Sequence, residues 1–145
     1  MSLFSLLSVS ASGMAVQRTR AGLLVENLAN AETTRTPDGG PYRRKDAVFE
    51  TDAQVSPFSS VFQAALGGGV TGVRVAEVME DTRAPEKRYL PGHPDADLDG
   101  YVAFPRVNPA EDMVDLMGAA RGYQANVAAM TAIKDMIHRS LDLLR

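Results

Sequence analysis

The stretch NPAEDMVDLMGAARGYQANVAAMTAIKDMIHRSLDLLR, residues 108–145, reads as one long helix with an apolar seam. Asn108 is suited to cap it and Pro109 to open it, and Glu111 falls three residues after the cap, where a capping-box acid belongs. A 3-4 spacing then selects Met113, Leu116, Ala120, Tyr123, Val127, Met130, Lys134, Ile137, Leu141 and Leu144, all apolar except Lys134. Uninterrupted, Pro109 to Arg145 makes a rod of roughly 55 Å, since each helical residue rises about 1.5 Å. A stripe that long and narrow calls for another helix as its partner.

The N-terminus supplies one. Leu3, Leu7, Ser10, Met14, Gln17, Ala21, Leu24, Leu28 and Ala31 follow the same spacing, and only Ser10 and Gln17 are polar. Gly13 and Gly22 weaken this helix by up to about 1 kcal/mol each relative to alanine. It is therefore expected to form only against a partner. Pairing the two ends predicts a mainly α fold: long N- and C-terminal helices paired as a coiled-coil-like hairpin, with a small β-rich, turn-rich insert between them. Residues 1–34 and 108–145 then form one core domain and 35–107 the insert. The alternative is that both stripes face an ordinary bundle core, which describes a monomeric helical-bundle protein-binding module.

Within the insert, Thr33 to Pro41 is dense in proline, glycine and aspartate and reads as a loop with a tight turn. Tyr42–Thr51 reads as a strand. Val61, Phe62, Ala65 and Leu66 hint at a short helix that stops at Gly67-Gly68-Gly69. Val70–Met79 alternates, with Val73 and Val75 against Arg74 and Glu77, and is the strongest strand signal in the chain. Arg83 to Gly100 reads as turns, Tyr101–Phe104 as a short strand. The insert is small for a self-sufficient core.

Composition narrows the function classes. A chain of 145 residues with 45% hydrophobic and 23% charged residues has an ordinary globular make-up and defaults to one domain. A net charge of −3 gives no general attraction to nucleic acid. The cluster Arg35, Arg43, Arg44 and Lys45 reads as a solvated loop. With no cysteine there is no disulfide framework and no thiolate metal site. The first ten residues interleave serine with apolar residues and the first basic residue is Arg18, so no cleaved Sec-type signal is read. No run reaches about 18 apolar residues, so no membrane insertion is expected.

Three motifs resemble chemistry without its context. Gly67, Gly69 and Gly72 satisfy G-x-G-x-x-G, but a β-branched run follows where a phosphate-binding helix should begin, so a linker is the reading. Asp95, Asp97, Asp99 and Gly100 match half of a calcium loop, whose twelfth position should be glutamate and is Arg106. A structural turn is expected there, and a calcium-binding module is the rival class. His93 and His138 are far apart in sequence, no serine sits in a nucleophile elbow, and no cysteine exists to act as one. No enzyme activity, metal or cofactor is expected.

Several segments together carry a resemblance. Ser12-Gly13-Met14, then Asn27-Leu28-Ala29-Asn30-Ala31 with Thr33-Thr34, resembles the N-terminal signature of the bacterial flagellar axial family, the rod and hook subunits. Thr36-Pro37-Asp38-Gly39-Gly40-Pro41-Tyr42-Arg43-Arg44 is similar to the proximal-rod members of that family. So are Pro91-Gly92-His93-Pro94-Asp95-Ala96-Asp97, Gly100-Tyr101-Val102 and Val107-Asn108-Pro109. Tyr123-Gln124-Ala125-Asn126-Val127 resembles the terminal-helix motif. Arg106 departs, standing where the family more usually has asparagine, and Gly118 and Gly122 loosen the last helix.

The resemblance implies a structural, self-assembling subunit of the basal-body rod in the periplasmic space. It implies export through the flagellar type III apparatus, and partners that are other copies of the chain and neighbouring rod proteins. The terminal helices would form the rod core with the insert facing outward. The assembly interface is expected at Leu7, Met14, Leu24, Asn27, Leu28 and Asn30 on the first helix. On the last helix it is expected at Met113, Leu116, Tyr123, Gln124, Asn126, Val127, Met130, Ile137 and Leu141.

Overall fold

In the computed structural model, which describes residues 3–52 and 71–142, the apolar seams are helical from Leu3 to Leu28 and from Met113 to Leu141. Helix α1 spans Leu3–Ala29 and helix α2 spans Pro109–Asp142. Between them, among the described residues, lie strands β1 (Lys45–Asp52), β2 (Gly72–Glu80), β3 (Glu86–Tyr89) and β4 (Tyr101–Phe104). β1 pairs with β2 and β3 with β4 as two two-stranded sheets. Two long helices framing small sheets is the expected architecture in outline. The short helix hinted at by Val61 to Leu66, with Gly67 and Gly69, lies outside the described residues.

Each boundary has a local cause. α2 starts where Asn108 Oδ1 accepts the Ala110 N–H at 3.2 Å and the Asn108 carbonyl accepts that of Asp112 at 3.0 Å. α1 stops at Asn30, whose side-chain amide donates to the Glu26 carbonyl at 2.9 Å while its Oδ1 accepts from Thr33 Oγ1 at 3.2 Å. The loop beyond is closed by Thr36 N–H donating to the Gly40 carbonyl at 2.9 Å. Gly39 and Gly40 there adopt φ of +87° and +81°, which side chains beyond Cα disfavour.

Two elements differ from expectation. β1 begins at Lys45 instead of Tyr42, because both Tyr42 and the Lys45 main chain are tied to Asn27 on α1. β3 arises inside the stretch read as turns. Glu86-Lys87-Arg88-Tyr89 has no apolar alternation. Its order comes from its antiparallel ladder, with Glu86 opposite Phe104 and Tyr89 opposite Tyr101. Tyr89 meets Tyr101 edge-on at 5.4 Å and Arg88 lies 4.9 Å over the Phe104 ring.

The chain divides into two compact units. A terminal unit comprises Met1–Thr19, Phe49–Ala76 and Ala119–Arg145, and a central unit Arg20–Val48 and Glu77–Gly118. The central core gathers Leu24, Tyr42, Val102 and Phe104 around buried Asn27 and Asp112. The terminal core is Val16, Ala119 and Ile133 with Ser10. In the terminal unit α1 and α2 approach closely at small residues. A Cβ placed on Gly13 would lie 2.7 Å from Asn126 Oδ1, and one on Gly122 3.1 Å from Gln17 Cδ. Rising numbers on α1 meet falling numbers on α2, so the two run antiparallel there. Ser12 Oγ accepts the Val73 N–H at 3.1 Å and fixes the start of β2 on α1.

Candidate assembly interface

In the central unit Asn27 is fully buried and every polar atom of its amide is engaged. Its Nδ2 donates to the Lys45 carbonyl and its Oδ1 accepts the Lys45 N–H, both at 2.9 Å, so the side chain pairs with β1 as a neighbouring strand would. The same Oδ1 accepts the Tyr42 hydroxyl at 2.9 Å. Burial, aided by the charges of Glu26, Glu80 and Asp112, pushes the Tyr42 phenol up to about 12. Lys45 Nζ pairs with Glu26 at 2.6 Å, and that hydrogen bond holds the ammonium above its ordinary value.

One residue further, Arg44 reaches α2. Its Nη2 and Nε donate to Asp112 Oδ1 at 2.9 and 3.3 Å, and Asp112 is 1% exposed. Burial alone pulls the guanidinium down. The hydrogen bond and charge of Asp112, with Asp46 and Glu111, outweigh it, and the net shift is upward. Asp112 Oδ2 has no hydrogen-bond partner among the described residues. Arg20 adds a longer pair to Asp115 at 3.4 Å.

The candidate residues therefore divide by exposure. On α1, Leu24 and Asn27 are buried and Leu7, Met14 and Leu28 are half-buried, as is Asn30 just past its end. On α2, Leu116, Asn126, Met130 and Ile137 are half-buried, while Met113, Tyr123, Gln124, Val127 and Leu141 are exposed. The inward positions of α2 are Asp112, Ala119 and Ile133, one residue before the apolar spacing at 113, 120 and 134. Ion pairing of Asp112 with Arg44 and the small size of Ala119 set that register. Neither was visible in a pattern that counted only hydrophobicity. Val114, Met117 and Met136 are exposed as well, at 64%, 54% and 49%, and the narrow seam had missed them.

Among the described residues no three metal-ligating side chains come together, and no helix is long and apolar enough to cross a membrane. Asp97 holds its own loop, its Oδ1 accepting the N–H groups of Asp99 at 3.0 Å and Tyr101 at 2.8 Å. Asp95 is engaged by Thr34 at 2.8 Å and Arg35 at 3.6 Å.

Residues 98–143 match the C-terminal family of the flagellar basal body rod FlgEFG proteins. The flagellar basal-body rod protein FlgC of Salmonella typhimurium is 40% identical over 144 residues, covering 99% of this chain and 98% of the relative. The FlgC proteins of Borreliella burgdorferi and Bacillus subtilis are each 38% identical, over 151 and 150 residues, with at least 99% of both chains covered. The chain belongs to the FlgC family of flagellar basal-body rod proteins. Two of the segments that carried the resemblance meet in space: Asn27 of the first signature binds Tyr42 of the second, and Arg44 beside it binds Asp112. In this FlgC-family chain Arg106, the departing residue, lies beside Asp81. The side-chain and backbone hydrogen bonds of Arg83, helped by the charge of Arg106, hold that carboxyl down to about 2.

Proposed function

We propose that the chain is a structural subunit of the flagellar basal-body rod, assembling with other rod components, and has no catalytic role. Residues 1–34 and 108–145 act as its rod-core domain, paired as a coiled-coil-like hairpin, and 35–107 as the outward insert. Copies of the chain and neighbouring rod proteins cover the helices after export to the periplasmic space through the flagellar type III apparatus.

The observation that carries this reading is the number of exposed apolar side chains along α2. Met113, Val114, Met117, Tyr123, Val127, Met136 and Leu141 are each at least 41% exposed. Single exposed hydrophobics are common, but so many on one helix mark a surface that another chain covers. The half-buried Leu7, Met14, Leu28, Asn30, Asn126 and Met130 would line the rim of the same interface.

Exposure makes the test clean, because a charge at Val127 disturbs assembly without burying itself in the subunit. In a strain lacking the native gene, Val127→Asp is expected to abolish motility and rod incorporation while the purified variant keeps its unfolding midpoint. Normal rods from Val127→Asp would place that side chain in solvent and remove the reading's main support.

A further inference from the structure

We propose that the Asp97-Leu98-Asp99 loop tip of one copy seats in an arginine-rimmed cleft on the central unit of a second copy; this deepens the rod-subunit reading and rests on it. The cleft has apolar walls from Pro41, Pro85 and Pro105 and a cationic rim from Arg43, Arg83 and Arg106. Arg83 is committed to Asp81, which shares the cleft, at 2.6 Å. Arg43 reaches only the Asp81 carbonyl, at 3.4 Å. Arg106 is exposed and makes no hydrogen bond or ion pair among the described residues. Arg43 and Arg106 thus stand at the mouth of the cleft with no carboxylate bonded to either among the described residues.

The tip has the complementary character. Leu98 is 107% exposed, more open than in a reference extended chain, and an aspartate flanks it on each side. The loop that presents it is held fast. Asp97 N–H donates to the Tyr101 carbonyl at 2.8 Å, Gly100 N–H donates to the Asp97 carbonyl at 3.0 Å, and Gly100 takes φ of +80°. A preformed loop loses little conformational freedom on docking. The Asp99 carboxylate makes no hydrogen bond or ion pair among the described residues. Arginine is the side chain best shaped to receive it.

The occupant is a second copy for two reasons. No residue of the tip lines the cleft, so the tip does not fill the cleft of its own chain. Tip and cleft are also different surfaces of one molecule, and a contact of unlike surfaces repeats head to tail into a ring or a helix.

The absence of cysteine makes the test specific. Ala84 is exposed between Arg83 and Pro85, so Leu98→Cys with Ala84→Cys puts one thiol on the tip and one on the rim. In isolated rods, a short thiol-to-thiol crosslinker is expected to give covalent multimers from the double variant and none from Ala84→Cys alone. Rods that contain the double variant but yield no multimers overturn the proposal and leave the rod-subunit reading intact. A native chain that never enters rods overturns that reading instead. A charge exchange supplies a second measure. Arg106→Glu and Asp99→Arg are each expected to lower incorporation about tenfold, and their combination to restore it. Asp99→Arg should keep the native unfolding midpoint. If the combined variant stays defective, an acidic partner other than a second copy fills the cleft and the proposal falls.

Discussion

The central and terminal units solve the same problem, holding α1 against the rest of the chain, by different means. In the central unit Asn27, Tyr42, Lys45, Arg44 and Asp112 form a buried polar centre of directional bonds, with Val102 and Phe104 nearby in the core. In the terminal unit the helices come together through Gly13 against Asn126 and Gly122 against Gln17, over a core of Val16, Ala119 and Ile133. There Gln17 Oε1 is buried without a partner among the described residues, and Tyr123, Val127, Met136 and Leu141 remain exposed. Directional bonds select one arrangement within a single chain. Close approach of small residues permits an arrangement but buries little, so it contributes less to holding α1 in place.

The contrast can be broken most directly by amide exchange on dilute monomer. Amides of residues 20–29 and 45–48 are expected to exchange at least about a hundredfold more slowly than those of 5–19 and 123–142. Equal protection would erase the distinction. Next in size is Arg44→Met, which leaves Asp112 charged in a buried site. Urea unfolding of the purified variant should show a loss of about 3 kcal/mol. Asn27→Ala strands the Lys45 main-chain groups and the Tyr42 hydroxyl, and should cost about 2 kcal/mol in the same assay. A loss below about 0.5 kcal/mol, the range of neutral surface changes, would mean that water replaces the amide freely.

Alkaline pH probes the same centre. The phenol of Tyr42 ionises near 10 when unfolded and at about 12 when folded, so the folded state holds its proton longer. Its contribution is intact below about pH 10 and is lost as pH rises through about 12, with roughly 1 kcal/mol gone by pH 11. Thermal melts across that range should show the fall, and Tyr42→Phe should flatten it. The smallest effect separates two glycines of α1. Gly22 has open space around it, and Gly22→Ala should stabilise by about 0.5–1 kcal/mol. Gly13→Ala must displace Asn126 and should gain less or lose. Equal gains would mean that the two helices do not meet at Gly13 in solution.

Sequence periodicity carried the helices well, because α1 and α2 announce themselves by apolar spacing and by local signals at Asn108 and Pro109. It carried the inward register of α2 poorly. Asp112 is buried through Arg44, 68 positions away, and no local pattern encodes such a pairing. Asn27 could be singled out only through its motif, since its partners, Tyr42 and the first residue of β1, lie 15 and 18 residues later. β3 was illegible for a related reason: Glu86-Lys87-Arg88 is a strand only because Val102 and Phe104 give it a ladder to join. The loop at Asp95–Gly100 was legible in shape, because turn chemistry is local.

The charges of β3 guard the open edge of its hairpin. In a two-stranded sheet each strand has one open edge, and such edges invite strands from other molecules into fibres. β3 carries Glu86, Lys87 and Arg88 at exposed positions, with Arg88 and Glu86 paired at 3.1 Å. An incoming strand would have to strip water from all three. Amyloid-like growth from this hairpin is thereby discouraged.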